Sequence, residues 1–143
     1  MKIRFILLAF LSVFTLTACN DVNENENPDH ISYFGKGSEW FGTYTISKVN
    51  NSYFDSLYIQ YVQDRANPGT EQTMEELGQI EYVLDTGNSV LESSSPLPLE
   101  GIGSFHTATE FNAEMFEMDY PDEITLTVKW QDQNEVIQLN RQN

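Results

Sequence analysis

One thiol, two histidines and 22 carboxylates are the groups with which this 143-residue chain could do chemistry. Cys19 is the only cysteine, so no disulfide can form within the chain and no second thiol supports a closed zinc site. His30 and His106 are far apart, one in a polar N-terminal stretch and one beside Phe105, and no His-x-x-x-His pair exists. No Gly-x-Ser-x-Gly elbow is present to expose a serine nucleophile. Gly101-Ile102-Gly103-Ser104-Phe105-His106 lacks both the third glycine of a dinucleotide fingerprint and the lysine of a phosphate loop, and reads as a glycine-rich strand or bulge. Glu110, Glu114, Glu117, Asp119, Asp122 and Glu123 form the densest acidic run. Calcium asks for about 6–8 oxygen ligands from a spaced loop. This run has no Asp-x-Asp-x-Asp-Gly pattern, and Pro121 interrupts it, so it reads as a solvated acidic loop. Glycoside hydrolysis would need two acids across a cleft, for which a domain this small has little room. The expectation is a chain without catalytic residues, metal or cofactor: a binding module and not an enzyme.

The N-terminus decides the compartment. Lys2 and Arg4 give a short basic start, Phe5 to Leu16 is almost wholly apolar, and Leu16-Thr17-Ala18-Cys19 follows at once. Basic start, apolar run and small residues at the cut describe a secretory signal peptide. The run is too short to span a bilayer, which takes about 20 apolar residues. Leu16-Thr17-Ala18-Cys19 closely resembles the lipobox of bacterial lipoproteins. That resemblance implies cleavage before Cys19, a diacylglycerol thioether on its sulfur, and anchorage in the cell envelope facing outside the cytoplasm. Each buried methylene contributes ~0.8 kcal/mol and a single acyl chain holds only marginally, so a stable anchor takes two chains or more.

Loss of residues 1–18 removes Lys2 and Arg4 and no acid, leaving 5 basic against 22 acidic residues, a net charge of −17. Nucleic acid is excluded as a partner, since binding it needs lysine and arginine along the phosphates. The same charge keeps the domain off anionic lipid and permits cationic partners. About 125 residues remain, enough for one domain with a core of its own.

These groups must be positioned by strands. Residues 19–36 start at Cys19 and continue with Asn20-Asp21-Val22-Asn23-Glu24-Asn25-Glu26-Asn27-Pro28-Asp29, which is polar and without period, and read as a lipidated cysteine on a flexible tether. Residues 37–143 read as a single β domain. Trp40, Tyr44 and Ile46 fall on one face of a strand with threonines on the other. Leu57, Ile59 and Tyr61 are in phase, as are Ile80, Tyr82 and Leu84. Ile124, Leu126, Val128 and Trp130 alternate with Thr125, Thr127 and Lys129, and Glu135 to Leu139 reads as the hairpin partner with Ile137 and Leu139 inward. This is the period-2 pattern of half-buried strands. Weaker strands are expected at Ser89–Glu92 and Gly101–Thr107, and breaks at Asn50-Asn51, Asn67-Pro68-Gly69, Thr86-Gly87-Asn88 and Pro96-Leu97-Pro98. A short helix is possible over Glu71–Leu77, with Thr73 and Glu76 at capping-box spacing and Gly78 as its stop. Phe111–Met118 suits either a helix or a strand. About seven strands with turns between them predict an all-β, antiparallel immunoglobulin-like sandwich, with a small β-barrel as the alternative.

Gly37-Ser38-Glu39-Trp40, with the alternating strand ending on Trp130 and Glu135-Val136-Ile137-Gln138-Leu139 after it, loosely resembles small uncharacterised lipoproteins of Gram-positive bacteria. Their hairpin tip carries Asn-Gly; here it is Gln131-Asp132-Gln133-Asn134. The resemblance implies no activity. Tyr53, Phe54, Tyr58 and Tyr61 crowd the second strand, and Tyr58 and Tyr61 form the candidate contact face for a protein or envelope polymer. A structural or accessory role in the envelope is the alternative.

Overall fold

The computed structural model describes residues 29–62, 74–112 and 120–143. The described residues are nearly all strand: β1 (His30–Lys36), β2 (Trp40–Val49), β3 (Ser52–Tyr61), β4 (Gln79–Asp85), β5 (Val90–Glu92), β6 (Leu97–Pro98), β7 (Ser104–Asn112), β8 (Glu123–Trp130) and β9 (Gln133–Gln142). One helical turn, α1 (Met74–Leu77), precedes β4, and Gly78 ends it at φ 70°. No helix among the described residues is long and apolar enough to cross a membrane. Cys19, the acidic stretch behind it, Asn67-Pro68-Gly69, Glu71–Thr73, and Glu114, Glu117 and Asp119 all lie outside the described residues.

The all-β, antiparallel expectation holds. Every pairing is antiparallel, in the order β5-β4-β8-β9-β1-β2-β3-β7 with β6 on β4, and the continuous sheet curls into a half-barrel. Its curl lays the inner face of β1, β2 and β3 over that of β4, β8 and β9, so the two halves bury each other as the layers of a sandwich do.

Period-2 alternation decides what lies inside. Along β2 every second residue from Trp40 to Ile46 is buried, and along β8 so are Ile124, Leu126, Val128 and Trp130. Ile137 and Leu139 point inward from β9 as predicted. β1 departs from the expectation. Residues 30–36 belong to the sheet and not to a tether, because Ile31 and Tyr33 alternate with polar neighbours and fill the core at 4% and 2% exposure. β1 pairs with β2 from His30↔Ser47 to Lys36↔Phe41 and with β9 through Tyr33↔Arg141, so the first strand sits in the middle of the sheet.

Two inward positions of the β1–β2 pair carry no side chain. Gly35 and Gly42 face each other in register. A Cβ on Gly35 would stand 2.1 Å from the Gln138 carbonyl oxygen, and one on Gly42 would stand 2.5 Å from Leu126 Cδ2. Glycine here lets the two halves of the sheet approach at a corner, where a side chain would hold them apart.

The turn between β1 and β2 is tied from across the molecule. The Glu135 carboxylate, on β9, accepts hydrogen bonds from the backbone N–H of Ser38, from that of Glu39 at 3.1 Å and from that of Trp40 at 3.0 Å, and from the Ser38 hydroxyl. Partial burial works against its charge. The bonds from the Ser38 hydroxyl and the three N–H groups outweigh that and hold its carboxyl below the ordinary 4.5. A carboxyl depressed in the folded state stabilises the fold above its unfolded pKa, and that contribution is lost as pH falls through the lower, folded value. Glu135→Gln is therefore expected to lower stability by ~1 kcal/mol at pH 7, as loss of a capping carboxylate does. The gap between variant and wild type in urea titrations should close as pH falls below about 4.5. A gap independent of pH would place the effect in shape and not in charge.

Candidate functional site

The inside of the half-barrel is filled unequally at its two ends. One end is solid: Trp40 meets Tyr61 and Trp130 edge-on at 5.2 and 5.5 Å, with Ile59, Leu77, Ile80 and Val128 packed around them. At the other end, where β1 begins, the two halves diverge and enclose a cleft of about 420 Å³. β2 and β3 supply one wall through Tyr44, Ile46, Asp55 and Leu57. β4 and β5 supply the facing wall through Tyr82 and Leu91, and Thr107, Thr109 and Phe111 of the edge strand β7 border it. Tyr33, Tyr120 and Ile124 complete the base. This volume and mixture of apolar walls with few polar groups are those of small-molecule sites.

Asp55 is the polar centre. It occupies an inward position of β3 between Tyr53 and Leu57, where alternation calls for an apolar residue, and is only 8% exposed. Its Oδ2 accepts a hydrogen bond from the Tyr44 hydroxyl at 3.1 Å and its Oδ1 accepts one from the Thr109 N–H at 3.0 Å. Both oxygens are thus fixed, one by the neighbouring β2 and one by β7, with no cation beside them among the residues that line the cleft. Burial, then the charge of Asp55 and its hydrogen bond, drives the Tyr44 hydroxyl far above the ordinary phenol value. Across the cleft, burial and then the charge of Asp55 raise Tyr82 as well. Tyr120 is pushed up to about 12, first by burial and then by Tyr53 and Tyr33, against a lowering from Arg141. These phenols remain neutral hydroxyls at any physiological pH. The Tyr33 hydroxyl is spent on the Pro121 carbonyl at 2.9 Å, and Tyr53 stacks on Phe111 at 5.7 Å.

The residues singled out in the sequence are mostly elsewhere. Tyr58 and Tyr61 do not share a face: three positions apart on a strand, they point to opposite sides of the sheet. Tyr61 turns inward against Trp40, whereas Tyr58 lies on the outer surface, donates to Gln60 Oε1 at 2.6 Å and joins a line of rings with Phe41 at 5.9 Å. Phe34, 43% exposed, continues that line 6.0 Å from Phe41. His30 and His106 are on β1 and β7, each against a serine hydroxyl at 2.8 Å, Ser47 and Ser56 respectively, and do not approach each other. No group of three His, Cys, Asp or Glu among the described residues is arranged to hold a metal ion. The sequence reading missed Asp55, although its signal was available as a charged residue in phase with Tyr53, Leu57 and Ile59.

Chemically, the cleft can bind and orient. No lysine, arginine or histidine is among the described residues lining it, and its hydroxyls at Thr86 and Ser89 bond to each other at 3.0 Å. No protein-family model matches this chain, and no curated protein or solved structure shows significant similarity to it.

Proposed function

We propose that this chain is a lipid-anchored binding protein of the cell envelope that faces outside the cytoplasm and holds a small ligand in the Asp55 cleft without transforming it. The observation that carries the reading is the cleft itself: an aromatic cavity with one buried, doubly hydrogen-bonded carboxylate at the unfilled end of the half-barrel. The lipobox-like Leu16-Thr17-Ala18-Cys19 supports the anchor, with the membrane as partner through Cys19. Binding is favoured over catalysis because the described residues around Asp55 are phenols, neutral hydroxyls and apolar side chains, and no histidine, thiol or amine is among the described lining residues to relay a proton or attack a bond.

In-cell photo-crosslinking of the anchored full chain tests this reading. A probe in place of Leu91, on the cleft wall, is expected to acquire a small-molecule adduct, and Thr109→Trp, which fills the cleft from its rim, should abolish it. Cys19→Ala should release the chain from the membrane fraction or leave it uncleaved. Adducts at a Tyr58 probe alone would move the contact to the outer rings, and membrane partitioning of a processed Cys19→Ala chain would remove the anchor.

A second reading, an accessory role in envelope assembly, is supported by β7. That strand is nine residues long and, among the described residues, pairs only with β3, leaving an edge to which another chain could add a strand.

A further inference from the structure

The cleft has a composition that narrows its ligand. Its base and walls carry four tyrosines, Tyr33, Tyr44, Tyr82 and Tyr120, and one phenylalanine, Phe111. The faces of such rings are electronegative and attract a cation placed over them, most strongly where water is excluded. Asp55 sets its carboxylate group into the cleft at 8% exposure. No described side chain lining the cleft is positive. A buried carboxylate without a cation is costly, and none of the described residues lining the cleft supplies one. A neutral apolar ligand would leave Asp55 uncompensated, and an anion would be repelled by it and by the chain's net charge of −15. A metal ion is a poor occupant, because both Asp55 oxygens already accept hydrogen bonds and the described residues hold no group of three His, Cys, Asp or Glu arranged to ligate one.

We propose that the cleft binds an organic ammonium ion, its charged head held between Asp55 and the rings of Tyr82, Tyr44 and Phe111 and its substituents against Leu57, Leu91 and Ile124. This assignment rests on the cleft being the ligand site. Substituted ammonium suits it better than a bare ammonium head, since alkyl groups on nitrogen spread the charge over a surface that hydrocarbon and aromatic walls can cover.

Isothermal titration of the full chain, anchored in vesicles of a neutral glycolipid that carries no ammonium, separates the possibilities. Choline and its uncharged isostere 3,3-dimethylbutan-1-ol have the same shape and differ in charge. Choline is expected to bind at least ~10-fold more tightly. Asp55→Asn should bring the two probes to within ~3-fold of each other, and Tyr82→Leu, at a half-buried wall position, should weaken choline alone by ~3–5-fold. Equal binding of the two probes, abolished by Thr109→Trp, would overturn the ammonium assignment and leave the cleft as a ligand site. Choline binding that survives Thr109→Trp would place the cation elsewhere and overturn both. Failure of choline to bind at all would overturn the ammonium assignment, with the adduct at Leu91 then deciding the fate of the cleft.

Discussion

Trp130→Ala is expected to destabilise the domain by ~3–5 kcal/mol, the cost of emptying a large aromatic site in a packed core. Native domains have only ~5–15 kcal/mol to lose, so the variant should be partly unfolded at 37 °C. Trp130 is 4% exposed and meets Trp40, itself wholly buried, at 5.5 Å. Around them Ile80 and Val128 are fully buried and have little room to collapse into the space. The indole Nε1–H groups of both tryptophans are buried with no hydrogen-bond partner among the described residues, and an unsatisfied buried donor is a cost of ~1–3 kcal/mol. Trp130→Phe removes that donor along with part of the ring. It should therefore cost well under half of what Trp130→Ala does. Urea midpoints of the three proteins at constant m-value would measure both differences. Equal losses for Phe and Ala would mean that the indole N–H contributes and has a partner; no loss for Ala would mean that the site is not core.

Gly35→Ala is expected to cost ~2–3 kcal/mol, the upper part of the range for overpacking. The added methyl would stand 2.1 Å from the Gln138 carbonyl oxygen and 2.9 Å from its carbon, and these are backbone atoms of a paired strand. Relief would require β9 to move away from β1, against the pairs Phe34↔Asn140 and Tyr33↔Arg141. Alanine does reduce the entropy of the unfolded chain, worth ~0.4–1 kcal/mol, and this is too little to offset the clash. Gly42→Ala provides the comparison. Its methyl would meet Leu126 Cδ2 at 2.5 Å, the end of a side chain that can change rotamer, and its cost should be at most about half as large. Thermal melts would report this as a drop of about 10 °C for Gly35→Ala, at roughly 4 °C per kcal/mol for a domain of this size. A larger drop at Gly42 than at Gly35 would contradict the corner described for the sheet.

How much of this was legible depended on the contrast each residue made with its neighbours. β8 could be read outright, because four large apolar residues alternate with two threonines and a lysine. β1 could not. Ile31 and Tyr33 follow a long polar run, and the third inward position is Gly35, which contributes no apolar signal although it is among the most tightly enclosed places in the fold. The same residue type hid the closure of the sheet, since close approach of two backbones depends on what is missing from Gly35 and Gly42. Tyr58 and Tyr61 were grouped by composition, whereas strand parity separates them. The turn after Trp130 forms without glycine. Gln131 takes φ 50° itself, and its side chain donates to the Glu76 carbonyl of α1, a long-range contact that local turn chemistry does not reveal. The cleft was the least legible feature, because it is made where β4 and β5 stand away from β3 and β7, segments that share no local pattern. Asp55 alone marked it.

The position of β1 has a geometric consequence. β1 starts at His30, at the end of the half-barrel that holds the cleft, and His30 follows Cys19 by eleven positions. Whatever path those residues take, they span no more than about 40 Å at ~3.3–3.6 Å each. Were Cys19 held in lipid, as proposed, the cleft would be the part of the domain on the shortest leash, and the solid tryptophan end could stand farther off. Anchored as proposed, such a protein would survey a thin layer over its own membrane. Molecules that rise from or settle on that leaflet would then be its catchment, and those carried on distant surfaces would be beyond it.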